Sequence, residues 1–301
     1  MTGLSTIQSY IDNAIDYPND WPFASIIGAR PSKGARSPKL WNAAFKALDR
    51  DTQMLPMDVS SDKLPNLLSV LSDNPLFLGG AVAVPHKAAV AEWLGKFLTE
   101  EARAIGTVNC LFRSKTGRLM GTNTDGEAAL TSLVHKIGSI DGKKILILGG
   151  GGAGLAVAVY MAKGVGQEGK TLLACRQKFP SKDRQRGLGI NRTVKWDELS
   201  KVLSSMDIVI NCTTVGSVGQ ENYSPLTQEH LKLLTSNAVV YDIIYQPRPT
   251  KLLIMAKKLE LTVIDGLRMN LEQAIIAFDY AVSQHLEANR TEEVRLSMRK
   301  A

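Results

Sequence analysis

Three observations predict an α/β protein of two domains, the second built on a doubly wound parallel sheet. From about residue 126 short apolar runs alternate with helix-length stretches in the order helix, strand, helix, strand. Within that series the run Ile145-Leu-Ile-Leu148 ends in four consecutive glycines, and a small-residue helix pattern starts at Ala153. Before residue 126 strands and helices also alternate but finish on a hairpin, which predicts a separate N-terminal α/β domain. The length of 301 residues suits roughly two domains. The expected division is 1–125 and 126–265, with 266–301 returning to the first domain.

Taken in order, residues 1–22 read as a short helix with Leu4, Ile7, Ile11 and Ile15 at helical spacing, then a loop of Pro, Asn, Asp and Trp. A strand over 23–27 ends at Gly28. The loop with Pro31, Gly34 and Pro38 leads to a helix over 39–48, a strand over 53–59, a helix over 64–71 and a small-residue strand over 78–84 closed by Pro85. The helix after Lys87 carries Val90, Trp93, Leu94 and Phe97 at core spacing. Runs 107–113 and 118–122 read as a hairpin turning at Lys115-Thr-Gly117. After the glycines come a strand over 171–175, a loop rich in Lys and Arg, a helix over 196–203 and strands over 207–211 and 239–244. A helix over 250–258, a strand over 261–264 and a long helix over 271–287 complete the series.

A hydrophobic content of 44% with 22% charged residues is that of a globular protein able to bury a sizeable core. The net charge is +7, but no dense basic block with interleaved aromatics marks a nucleic-acid surface. No stretch of 18 apolar residues offers a membrane span, and the acidic N-terminus does not resemble a signal peptide. Cys110, Cys175 and Cys212 are odd in number and far apart, so free thiols in a reducing, cytoplasmic compartment are expected. His86, His135, His230 and His285 show no metal spacing, and no metal is expected. His86 adjoins Lys87 but points away from it if the segment is extended, so it is expected to be structural or at the surface.

The chemistry starts at the glycines. A strand, a glycine turn and a helix N-terminus make an anion site, because first-turn amides lack intrahelical acceptors and glycine lets a pyrophosphate reach the backbone. Gly149, Gly151 and Gly154 fit the G-x-G-x-x-G spacing of dinucleotide folds such as the Rossmann domain. Cofactor choice is set at the end of the next strand, which reads Cys175-Arg-Gln-Lys178, with Lys182, Arg184 and Arg186 close behind. The first acid, Asp183, comes too late to hold a ribose 2'-hydroxyl, whereas Arg176 suits a 2'-phosphate. NADP is the expected cofactor.

Six further segments resemble the shikimate dehydrogenase family. They are 81–87 (AVAVPHK), 106–109 (GTVN), 121–126 (GTNTDG), 211–216 (NCTTVG), 242–253 (DIIYQPRPTKLL) and 266–273 (GLRMNLEQ), in the family's order. The resemblance runs from about residue 26 to 278. It implies an enzyme with its active site in the cleft between the domains, passing a hydride between NADP and a ring carbon bearing a hydroxyl or ketone. It also implies a catalytic couple of Lys87 and Asp125, with Ser37, Asn109, Gln273 and Tyr245 at the substrate. By the same resemblance Gly149, Gly150, Gly151, Gly152, Ala153, Gly154, Arg176, Thr213, Gly266 and Met269 bind the cofactor. The partner is a small cyclic hydroxy compound, and the chain is a monomer or homodimer.

The departures concern one end of the pocket. The family's first loop resembles G-x-P-x-x-H-S-x-S-P, whereas Gly28-Ala-Arg-Pro-Ser-Lys-Gly-Ala35-Arg-Ser37-Pro38 is one residue longer and has Ala35 where the first serine falls. The family's N-V-T-x-P-x-K becomes Ala81-Val-Ala83-Val-Pro-His-Lys87. Three polar contacts to a substrate carboxylate are thereby lost, each worth on the order of 1.5–3 kcal/mol. Arg30, Lys33, Arg36 and Arg268 are candidate replacements. The expectation is a conserved reaction on a changed substrate. Shikimate dehydrogenase proper and a non-catalytic NADP-binding regulator are the alternatives; the intact Lys87 and Asp125 argue against the regulator.

Overall fold

The computed structural model describes residues 4–176, 181–282 and 288–301. The chain divides into two compact units, one holding the residues up to Thr124 together with Ala274–Ala301, the other Asp125–Gln273.

In the first unit, α1 (Leu4–Gln8) precedes β1 (Phe23–Gly28), α2 (Ser37–Ala47), β2 (Gln53–Asp58), α3 (Leu64–Asp73) and β3 (Phe77–Val82). Then follow α4 (Lys87–Leu94), α5 (Glu100–Ile105), β4 (Cys110–Arg113) and β5 (Leu119–Thr122). The strands form one sheet in the order β2-β1-β3-β4-β5. The first three are parallel, and β4 and β5 join antiparallel. β1 is buried at every position, as a central strand covered on both faces must be. Ile7, Phe23, Ile27, Met57, Leu67, Leu71, Phe77 and Val90 pack into one core beneath it.

The second unit opens with α6 (Asp125–Ile137), β6 (Lys144–Leu148), α7 (Gly152–Gly164) and β7 (Lys170–Cys175). It continues with α8 (Lys182–Gly187), β8 (Arg192–Lys195), β9 (Ile208–Asn211), α9 (Gln228–Lys232), β10 (Val239–Asp242), α10 (Lys251–Lys258) and β11 (Thr262–Ile264). Its six strands run in the order β11-β10-β9-β6-β7-β8, parallel throughout. The order reverses at β6, the strand that runs into the glycines. That is the topological switch point, where ligands of such sheets bind beyond the carboxyl ends of the strands. The doubly wound sheet expected from the sequence is therefore present.

Helix α11 (Leu267–Ala281) starts in the second unit and ends in the first, where α12 (Ala288–Lys300) follows and packs on α2. Phe278 stacks within 5.1 Å of both Trp41 and Phe45, and Cys110 Sγ donates to Ala277 O. Burial alone pushes the Cys110 thiol far up, as suits a core residue.

Several elements differ from the sequence reading. The segment expected as a helix over 196–203 is two 3₁₀ turns, Trp196–Lys201 and Leu203–Ser205. Trp196, Leu199 and Val202 recur every three residues, which a three-residue turn aligns on one face. The third strand stops at Val82 instead of reaching 84, where Val84 is exposed ahead of Pro85. The long helix expected over 271–287 begins four residues earlier, at Leu267, and its last five positions lie outside the described residues.

Candidate active site

In the second unit the glycine turn is built by close packing. Gly149 has φ +109°, a conformation that L side chains rarely adopt, and its amide donates to Ala174 O at 2.9 Å. A Cβ on Gly154 would sit 1.8 Å from Gly149 O, and one on Gly150 would sit 2.4 Å from Cys175 Sγ. Gly151 is exposed, meets open space, and precedes α7 in an extended conformation. Gly149 and Gly154 therefore bring the end of β6 against α7, and Gly150 lets the turn pass Cys175 of β7, while the amides of Gly152, Ala153 and Gly154 begin a helix without intrahelical acceptors. That is the cradle a pyrophosphate fits.

One strand along, exposed Arg176 follows β7 and lines a cavity of about 360 Å³ with Trp196, Thr213, Val215, Gln220, Tyr223, Ser224 and Pro225. Lys178 lies outside the described residues, as does the side chain of Arg184, and Arg186 is paired with Asp183 at 2.5 Å. Thr213 donates its hydroxyl to Asn211 Oδ1 at 2.7 Å, and its hydroxyl oxygen accepts the Val215 amide at 3.1 Å. Asn211 in turn donates to Asp242 Oδ1 at 3.0 Å from the adjacent strand, where the two residues are in register. Thr250 donates to the other Asp242 oxygen at 2.7 Å. Burial of Asp242 raises its carboxyl to about 6 despite these donors.

Gly266 crosses the loop after β10 so closely that a Cβ would lie 2.0 Å from Ile243 O. Met269 is buried on α11, Gln273 donates to Asn270 O at 2.9 Å, and Tyr245 is half-buried after β10. Asp125 is buried as the first residue of α6, where the helix dipole favours a carboxylate. Gly126 lets that helix touch α7; a Cβ there would be 2.2 Å from Ala156 O.

In the first unit Lys87 is the first residue of α4, and its carbonyl accepts the Val108 amide at 2.9 Å. The preceding segment is a turn, not the extended run the sequence reading assumed for His86. His86 is structural: its buried ring places Nε2 2.7 Å from Val59 O, which ties the start of α4 to the end of β2. Asn109 is buried and clamps the segment before Asp125. Its Oδ1 accepts the Thr124 amide at 2.8 Å and its Nδ2 donates to the Thr124 hydroxyl at 3.0 Å. Asn123 donates to Thr107 in the same way.

Ser37 is buried at the start of α2. Ala83 lies against Gly28, 3.0 Å from where a Cβ on that glycine would stand. Two acids were missed. Asp58 accepts both the amide of Ser32 at 2.9 Å and its hydroxyl at 2.5 Å, fixing the loop after β1. Glu272 is buried on α11 beside Arg268. Their signals were a carboxylate ending an apolar strand, Met54-Leu-Pro-Met-Asp58, and an Arg–Glu pair four apart.

Residues 26–111 match the family model of the shikimate dehydrogenase substrate binding domain. The chain is 34% identical over 267 residues to the shikimate dehydrogenase (NADP(+)) of Microcystis aeruginosa, covering 86% of this chain and 91% of that one. A crystal structure of a shikimate dehydrogenase in complex with NADP+ superposes with a TM-score of 0.77 at 27% identity, over 95% of this chain and 97% of its own. The ligand-free 5-ketofructose reductase of Gluconobacter sp. strain CHM43 superposes with a TM-score of 0.74 at 25% identity, over 94% of this chain and 99% of its own.

Proposed function

This chain belongs to the shikimate dehydrogenase family, and from that premise we propose that it is an NADP-dependent oxidoreductase with a respecified substrate. The reaction is reversible hydride transfer to a ring ketone, or from a ring hydroxyl, of a shikimate-like cyclic compound. The observation that carries the reading is the glycine cradle at the switch point of a six-stranded parallel sheet, with Arg176 at the end of the adjacent strand. Gly149 to Gly154 hold the pyrophosphate, Arg176 takes the 2'-phosphate, and Thr213, Gly266 and Met269 border the rest of the cofactor. NADP, when bound, supplies or accepts the hydride. On this reading 126–265 is the cofactor domain, and 1–125 with 266–301 recognises substrate.

As the carbonyl carbon gains a hydride its oxygen gains negative charge. The Lys87 ammonium stabilises that charge and donates the proton; in the oxidation direction the neutral amine accepts it. Asp125 orients the ammonium. Asn109, Gln273, Tyr245 and Ser37 contact substrate. The second reading, shikimate dehydrogenase proper with 3-dehydroshikimate as its ketone, is supported by the names of the curated relatives. The changed substrate is supported by Ala35, Ala81 and Ala83, and by a structural neighbour named for 5-ketofructose, a sugar without a carboxylate.

The test is NADP+ reduction followed by nicotinamide absorbance with shikimate, quinate and analogues lacking the carboxylate, beside NAD+ controls. Turnover of an analogue with weak turnover of shikimate supports the proposal. Efficient oxidation of shikimate at micromolar concentration defeats the respecified pocket and leaves shikimate dehydrogenase proper.

A further inference from the structure

A cavity of about 360 Å³ opens in the second unit beside the glycine cradle. Three strand ends supply its wall. Arg176 follows β7, Trp196 follows β8, and Thr213 lies two residues beyond β9. These strands are parallel to one another and to β6, so all three residues stand at the carboxyl edge of the sheet, where the glycines also lie. Thr213 joins the two features, because its methyl carbon lies 3.0 Å from where a Cβ on Gly149 would stand. The volume falls within the range of small-molecule pockets, about 300–1,000 Å³.

Two aromatic side chains line this cavity. Trp196 is half-buried and packs against the core of the second unit. Tyr223 is 65% exposed on the loop between β9 and α9. A single exposed tyrosine is ordinary. This one is carried on a pinned loop. Its amide donates to Gln220 O at 2.9 Å, the Gln220 amide to Ser217 O at 2.7 Å and the Ser217 amide to Thr214 O at 3.1 Å. Lys251 Nζ donates to Asn222 O at 2.7 Å, and the Gly219 amide to Glu221 Oε1 at 2.8 Å. A loop held at each turn presents its side chain at little ordering cost. The Thr213 hydroxyl proton is committed to Asn211 Oδ1, and Val215 and Pro225 are apolar. The cavity therefore offers ring faces beside one guanidinium, a combination that suits a flat heteroaromatic ring attached to an anion.

We infer that Trp196 and Tyr223 are cofactor-binding residues that wall the adenine base of NADP, with Arg176 at its 2'-phosphate. The inference rests on the proposed NADP reading and deepens it by naming the residues that hold the base. Aromatic stacking grips a base by its face, so these two side chains contribute affinity at the adenosine end and none at the nicotinamide.

The test uses adenosine 2',5'-bisphosphate, which carries the base and the 2'-phosphate but no nicotinamide. It is titrated by calorimetry into wild type, Tyr223→Ala and Tyr223→Phe. Tyr223→Ala is expected to weaken binding about tenfold with an unchanged melting temperature, whereas Tyr223→Phe keeps the ring and is expected to stay within about twofold of wild type. Trp196 gives a second readout. Saturation with the bisphosphate is expected to quench the tryptophan emission of wild type, and Trp196→Phe is expected to abolish that quench. A Tyr223→Ala protein that binds as wild type does, a Tyr223→Phe protein that loses as much as Tyr223→Ala, or an emission unchanged at saturation overturns the inference. The underlying reading is judged separately. Wild type that binds neither NADPH nor the bisphosphate defeats the NADP reading itself, whereas normal NADPH binding with an unaffected Tyr223→Ala protein leaves that reading standing and removes only the adenine wall.

Discussion

At the scale of single residues, the buried carboxyl of Asp242 makes the sharpest prediction. Desolvation raises it to about 6, above the value of an unfolded aspartate, so the folded state binds the proton more tightly. Its favourable contribution is then fully present below about pH 4 and is lost as pH rises through about 6. The shift corresponds to about 3 kcal/mol. Asp242→Asn, whose amide can still face Thr250 and Asn211, is expected to lack this pH-dependent contribution. Denaturant unfolding of both proteins at pH 4.5 and pH 7 should show wild type losing stability relative to the variant at the higher pH; a constant difference contradicts the assignment. Arg176 carries a second prediction. Arg176→Gln is expected to weaken NADP+ binding by about tenfold or more while leaving NAD+ affinity unchanged, read by fluorescence titration.

At the scale of elements, the glycines are positions of contact. Gly154→Ala places a methyl 1.8 Å from Gly149 O, and Gly126→Ala places one 2.2 Å from Ala156 O. Overpacking of this kind costs about 1–3 kcal/mol. Both variants are expected to melt several degrees lower by calorimetry. Gly154→Ala is also expected to lose NADP+ affinity, because the cradle itself is displaced.

The same elements show what the sequence could disclose. The strands around Ile145 and Thr171 and the helix after the glycines were legible because a fully buried run bounded by glycine has few alternatives. β8 was not: Arg192-Thr-Val-Lys195 is a four-residue edge strand with one buried side chain, Val194, and no period to read. α5 and α9 are short and were passed over, yet each carries a readable cap, Thr99 accepting the Ala102 amide and Thr227 accepting the His230 amide. His86 was placed as if its segment were extended; the turn that buries it depends on Val59, which is distant in the chain.

At the scale of the molecule, the fold class followed from rhythm alone, whereas the site followed mostly from resemblance. Nothing in composition distinguishes Lys87 from the other lysines, and Asn109 reveals its clamp on Thr124 only once β4 and the start of α6 are folded. Asp58 and Glu272 were missed for the same reason: a buried acid looks like a surface acid until its partners arrive. The proposed change of substrate, by contrast, is argued from three alanines in the sequence, Ala35, Ala81 and Ala83.

The measurement that tests the central claim most directly is NADPH oxidation by wild-type protein and Lys87→Ala, each supplied with 3-dehydroshikimate and with neutral ring ketones. The account predicts turnover by wild type, a fall of about a hundredfold or more in the variant, and equal NADPH binding by both. Wild-type protein that binds NADPH yet oxidises it with none of the ketones, or a Lys87→Ala variant that keeps full turnover, would contradict it.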